Sequence, residues 1–588
     1  MARKGSARTP RGLRSPCAER LEGRVLLAGN VTTTPTGTLN SPGGPAPFLE
    51  ITGDNLDNEI MIKKGQGPDE IIVNGLNGTL VNGSTQEWHY SGVQGIAAFL
   101  NGGNDTVDVR NLDLAPGALT GLSVDGGAGD DRITVFNTTI DAEIVSELDL
   151  DTSAAITLVG ELATTGMAPT TGNDFIEVAN TTVFAEGGEI DAAVMLIAGE
   201  QVAGATVTGG NDHINVSNTT IRTSNATLDT QAAVLIFGDL NVSGDGTAST
   251  VGEGNDWIDV NGTKIISDDS LASASVVLDI SGDVNGSEEF GPVVGSASVG
   301  QGNDTISVTN TEVTATATTV NNGAVVRIRG DVNRPSAFVP DPDDPPLPPD
   351  TATIGGGNDN ISVSNTTLTA SGCRFDGLTS FKIFGEDSVA RGLDTADVGG
   401  GSDNIQVSTV VLTSSGSTFQ NTVQFNIYGD GSIQNEEVNV GTIGVGNDTI
   451  SVQNVQLSAR GSFSDAALFQ VFGDDAISGS TEFLPTVGHG DDDVNISNLL
   501  VEGDPLNLPS GAATVRVDVS TGDDEVDVLN SEFGLSRFDM GDGNDDLTFN
   551  GNSFVSAILE GFTGIDRLNA HGNVGALLFN GFEIVNMS

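Results

Sequence analysis

The sequence predicts an all-β chain wound into a right-handed parallel β-helix, a β-solenoid with about 21–22 residues per rung. Three observations predict it. First, the string Gly-(Asn/Asp/Ser)-Asp-x-(Ile/Val/Leu)-x-(Val/Ile/Phe) occurs twelve times, with its aspartates at Asp105, Asp131, Asp174, Asp212, Asp256, Asp304, Asp359, Asp403, Asp448, Asp492, Asp524 and Asp545. Such self-similarity marks a repeat architecture whose units bury their apolar side only by stacking on one another. Second, apolar residues follow each aspartate at two, four and nine places, as Ile214, Val216 and Ile221 follow Asp212. That alternation suits strands, and no long stretch keeps a helical apolar spacing free of Gly, Asn and Thr. Third, the spacing collapses to 21 residues at Asp524, Asp545 and Asp566, which sets the size of one rung. Central repeats of 38 to 55 residues are then expected to make two rungs each. About twenty rungs at roughly 4.8 Å would form a rod on the order of 100 Å long.

Taken in order along the chain, residues 1–29 stand apart. Arg3, Lys4, Arg8, Arg11, Arg14, Arg20 and Arg24 precede the apolar patch Val25-Leu26-Leu27-Ala28-Gly29, which is too short for a conventional secretory signal. The segment Leu21-Glu22-Gly23-Arg24-Val25-Leu26-Leu27 resembles the Leu-Glu-x-Arg-x-Leu-Leu leader of large extracellular proteins from planctomycete-type bacteria. The resemblance implies export, to an extracellular or cell-surface location. Residues 30–47, rich in Thr, Pro, Gly and Ser, are expected to be a linker. Residues 48–99 read as N-terminal capping rungs and 100–588 as the repeat array, with a Pro-rich loop inserted at 334–350.

Each central repeat carries a second apolar run ending in Gly-Asp or Gly-Glu, such as Ala233-Val234-Leu235-Ile236-Phe237-Gly238-Asp239. From motif aspartate to second acid the interval is nearly constant, as in Asp212 to Asp239, Asp256 to Asp283 and Asp403 to Asp430. From second acid to the next repeat it varies widely. Constant spacing marks packed strands, and variable spacing marks a loop on one side of the solenoid.

Eighty acidic against 23 basic residues give a formal net charge of −57. Such a body repels nucleic acid and anionic membrane surfaces and attracts cations. No run of eighteen apolar residues exists, so no transmembrane span is expected. Two cysteines, Cys17 and Cys373, exclude a disulfide framework and a Cys/His metal cluster.

The turns also carry chemistry. Gly126-Gly127-Ala128-Gly129-Asp130-Asp131-Arg132-Ile133-Thr134 matches the nonapeptide Gly-Gly-x-Gly-x-Asp-x-(apolar)-x in full. Gly541-Asp542-Gly543-Asn544-Asp545-Asp546-Leu547 lacks only the first glycine, where Met540 stands. These turns resemble the calcium-binding repeats of RTX (hemolysin-type) proteins, and the resemblance implies calcium as cofactor. In that family consecutive nonapeptides place each ion between adjacent loops, whereas most copies here stand some forty residues apart. A lone loop offers about half of the six to eight oxygens calcium takes.

Two places bring such loops to adjacent rungs: Asp105 with Asp130 and Asp131, and Asp523 and Asp524 with Asp542, Asp545 and Asp546. Carboxylates about 5 Å apart repel by roughly 3 kcal/mol per pair at an effective dielectric near 20, and a cation relieves that repulsion. These eight aspartates are the expected calcium ligands. In the isolated copies the aspartate is expected to cap turn amides instead. A column of asparagines six residues after the aspartate, including Asn111, Asn137, Asn218 and Asn498, is expected to stack as an amide ladder.

No catalytic residue is assigned. The four histidines have no repeated partner, lysine occurs at five positions only, and Trp88, His89 and Tyr90 make one candidate sugar-stacking spot, read first as cap packing. The expected function is therefore an exported acidic rod with a structural or adhesive role, not an enzyme. Its expected partners are calcium and extracellular polysaccharide or other surface proteins. The alternative is a carbohydrate-active enzyme, a polysaccharide lyase on the same helix, which fold analogy alone does not establish.

Overall fold

Apolar residues two and four places after each aspartate point to one side of a short strand, because side chains alternate across it. In His213–Ser217 the buried residues are Ile214 and Val216. The computed structural model describes residues 29–587 apart from stretches between strands, the longest being 37–47, 144–152, 164–171, 203–208, 242–248, 286–292, 337–350, 479–489 and 503–513. It stacks these strands parallel and in register, with Ile214 between Ile176 and Ile258. Fifteen strands, from Glu59–Lys64 to Ile584–Met587, build this row. The fold is thus an all-β parallel solenoid.

After each strand of the row the chain turns a corner on the asparagine column. Asn111, Asn137, Asn180, Asn218, Asn310, Asn365, Asn454, Asn498 and Asn530 hold φ between 50° and 54°. Asparagine tolerates this left-handed region better than most residues, and glycine does so freely. Gly262, Gly551 and Gly572 take the same corner where asparagine is missing, with φ of 70°, 69° and 65°. Amide stacking accompanies the corner, as when Asn498 Nδ2 donates to Asn454 Oδ1 at 3.0 Å. The next residue turns inward: Thr219 is buried, and its hydroxyl donates to the Ser217 carbonyl at 3.3 Å.

A second strand row follows the corner, as in Thr220–Leu228, and the second apolar run then forms a third. Ala232–Asn241 is buried along its whole length and pairs with Ala192–Val202 before it and Val276–Ser281 after it. Val234 and Ile236 join a continuous main core. Ala233, Leu235 and Phe237 fill a second apolar compartment with Leu196 and Val277. A strand covered on both faces reads as an unbroken apolar run, which explains its lack of alternation. Five short strands, beginning with Ser249–Val251 and Ala297–Val299, form a further row beside it.

Each central repeat therefore closes one rung, not two. The second apolar run pairs with its counterparts one repeat away, so 38 to 55 residues are the perimeter of one enlarged turn. The 21-residue rung holds at Asp524, Asp545 and Asp566. The rod is shorter in proportion, since fifteen strands at roughly 4.8 Å span about 70 Å.

The N-terminal end departs from the expectation as well. Asn30–Thr36, inside the expected linker, is a strand antiparallel to Phe48–Thr52 and parallel to Leu80–Val81. Glu59–Lys64 pairs parallel with Thr106–Arg110 as the first strand of the main row, while Glu70–Gly75 and Trp88–Ser91 extend from it as an antiparallel meander. Within it Trp88 Nε1 donates to the Val81 carbonyl at 3.0 Å, and Tyr90 packs on the core with its hydroxyl on Thr33. The expected leader, to residue 28, and most of the 334–350 loop lie outside the described residues.

Two features test this architecture. A Cβ on Gly330 would lie 1.5 Å from Asp359 Oδ2, whereas one on Gly102 meets nothing nearer than 3.6 Å. Gly330→Ala is expected to cost on the order of 3 kcal/mol in thermal unfolding, and Gly102→Ala within about 0.5 kcal/mol of wild type. At the corner, Asn218→Ala should cost about 1 kcal/mol while Asn218→Gly stays close to neutral, by the same measurement.

Candidate metal centres

Each motif aspartate lies where the loop returns to the main strand row, and none is more than 3% exposed. Carboxylates are rarely this buried without partners. What holds them is a chain of hydrogen bonds along the axis. The backbone N–H of each aspartate donates to Oδ1 of the aspartate one rung on: Asp105 to Asp131 at 2.6 Å, Asp212 to Asp256 at 2.8 Å, Asp304 to Asp359 at 2.8 Å and Asp545 to Asp566 at 3.2 Å. A bond of this charge-assisted kind contributes roughly 1.5–3 kcal/mol. Oδ2 of Asp174, Asp212, Asp256, Asp304, Asp359 and Asp403 is buried and meets no donor.

Beside this row runs a second. Glu161, Glu200 and Asp239 are in register, as are Glu386 and Asp430, with Asp283 and Asp331 between them. All seven are buried. Glu200 Oε1, Asp283 Oδ2 and Glu386 Oε1 accept loop amides from Gly172, Gly254 and Gly357 at 3.3, 3.4 and 3.1 Å. Glu200 Oε2, Glu386 Oε2 and both oxygens of Asp239 meet no donor. The rows converge in three triads, Asp174–Glu200–Asp212, Asp239–Asp256–Asp283 and Asp359–Glu386–Asp403, each with its ligand atoms within 4.8 Å of one another.

Burial, and after it repulsion between the carboxylates, pushes Asp239, Asp256, Asp283, Asp359 and Glu386 well above the usual carboxylate range. The buried arginines do not relieve this, because Arg327 and Arg329 are turned to Asp279 and Asp387. A dry row of carboxylates holds either protons or cations. The triads can hold metal ions, and a donor set of oxygen alone suits hard cations such as calcium, magnesium or manganese.

The eight aspartates expected as ligands fall elsewhere. Asp105, Asp131, Asp524 and Asp545 are members of the first row, raised by burial to about 7, 8, 9 and 7. Asp130 and Asp523 stand one residue earlier, on the exposed side of the turn, where other rungs have Asn211 or Asn303. There they cap the next rung, accepting the Asn173 amide at 3.0 Å and the Asn544 amide at 2.8 Å. Asp542 accepts the Thr563 hydroxyl at 2.8 Å, and Asp546 faces Arg567 at 3.2 Å. None of the eight belongs to a triad.

The reason lies in the second row. Gly127 occupies the register position that Glu161 fills one rung later, and Ser520 and Gly541 occupy it in the last rungs. The triads arise instead from copies that look isolated in sequence, because register leaves successive aspartates one rung apart. Their signal was the constant interval of 27 residues between Asp212 and Asp239 or Asp256 and Asp283, which puts two acids at one level of each rung.

These raised carboxyls fix a pH dependence. A folded carboxyl above its unfolded value near 4 keeps a proton that the unfolded chain has released, so stability falls as pH rises through the folded values. In chelator, the thermal midpoint is expected to fall from about pH 5 to about pH 8, across the values of about 7 for Asp105 and about 8 for Asp131. A midpoint that climbs over that window contradicts the assignment. The geometry alone carries this description, for the chain matches no protein-family model, no curated protein and no solved structure.

Proposed function

We propose that the chain is an exported, calcium-loaded β-solenoid rod with a structural or adhesive role at a cell surface or in an extracellular matrix. Asp239 carries the cation half of this reading. Both its oxygens are buried without a donor, and it shares a triad with Asp256 and Asp283. Calcium fits such a site better than magnesium, which keeps several waters and sheds them reluctantly. The resemblance of residues 21–27 to a surface-protein leader supports export. No helix among the described residues is long and apolar enough to cross a membrane.

The surface favours a rod over a polysaccharide lyase. Among the described residues its surface cations face acids, as Lys63 does with Glu87, Lys264 with Glu312 and Arg567 with Asp546. An anionic sugar chain needs a cluster of cations not already engaged.

Thermal unfolding of the full chain in millimolar calcium, millimolar magnesium and chelator tests the reading. Calcium is expected to raise the midpoint by roughly 10 °C or more over chelator, and magnesium by less. Asp239→Asn should shrink the calcium-dependent rise. Equal midpoints in all three conditions would overturn calcium as a structural cofactor.

A further inference from the structure

The three triads are consecutive. Asp212 closes the first, and Asp239, in the same rung, opens the second. A single rung, that of Asp304 and Asp331, separates the second from the third. Beyond Glu386 the rung of Asp403 adds Asp430. Among the described residues, seven successive rungs thus hold one acid of each row: Asp131 with Glu161, Asp174 with Glu200, Asp212 with Asp239, Asp256 with Asp283, Asp304 with Asp331, Asp359 with Glu386, and Asp403 with Asp430.

Asp331 and Asp430 belong to no triad, yet both are 0% exposed and neither oxygen of either carboxylate has a hydrogen-bond partner. Asp331 stacks between Asp283 and Glu386, and Asp430 lies beside Glu386, so both face the trough that the triads line. Equivalent side chains repeat closely along the axis. Phe384, Tyr428 and Phe472 stack with ring centroids 4.6 and 4.8 Å apart. Calcium–oxygen bonds of about 2.3–2.6 Å let one carboxylate bridge two ions at that spacing.

Charge then sets the loading. Each of the seven rungs brings two carboxylates, and one divalent cation neutralises them. Any fewer leaves buried negative charge, which a low-dielectric interior penalises heavily, or protons in place of ions. We propose that the two rows hold a single axial file of divalent cations, one in each of these seven rungs, rather than three separate ions. This inference rests on the cation reading above.

Equilibrium dialysis of the chelator-stripped full chain against calcium tests it, in about 0.15 M salt to screen the surface acids. The file predicts at least seven tightly held ions per chain, the number of described rungs bearing both acids. Asp331→Asn and Asp430→Asn, near-isosteric and outside the triads, should each remove about one ion while circular dichroism stays that of a β-solenoid. Three ions, unchanged in both variants, would overturn the file and leave the triads standing. No tightly held calcium at all would overturn the cation reading itself.

Discussion

One hydrogen bond, repeated at every rung, organises this molecule: the amide of each motif aspartate is donated to the carboxylate of the next. It places a charged group inside a β-solenoid, where the hydrophobic effect would not put it. Because the acceptor is a side chain and the donor is backbone, the bond fixes the height and the rotation of each rung against its neighbour. The glycine before each second acid follows from it, since Asp304 Oδ2 occupies the space a Cβ on Gly282 would need. The second row is buried for the same reason: it borders the corner that the first row builds.

The molecule contains two contrasting treatments of buried charge. On the third strand row Asp279 and Asp387 meet Arg327 and Arg329, and the charges are neutralised by side chains of the same fold. Paired and hydrogen bonded, such a cluster is self-sufficient. The two carboxylate rows have oxygens that nothing in the chain answers, so their neutralisation depends on solution conditions. One cluster is closed, and the other is open to protons or ions.

Much of the fold is legible in the sequence. The recurrence of Asp, apolar, apolar and Asn at fixed offsets is the direct imprint of strand, corner and stacking, and each offset reappears in the register of Ile176, Ile214 and Ile258. Rung size was not legible, because the 21-residue interval of the last rungs belongs to turns without a third apolar run as long as Ala232–Asn241. The centres were hidden for a related reason. Chain distance separates Asp174 from Asp212 by 38 residues, while register makes them neighbours. Asp130 and Asp523 touch the motif, but they stand on the exposed side of the turn and belong to no triad.

The perimeter of a rung is uncoupled from the axial repeat. Turns of 21 residues and of 55 residues sit on the same spine, because register is set at the aspartate and the corner, within a short constant stretch. The remaining arc can be lengthened or shortened without disturbing neighbours above or below. Such a chain tolerates arcs of many lengths between the same fixed points, because the register of its interior does not depend on them.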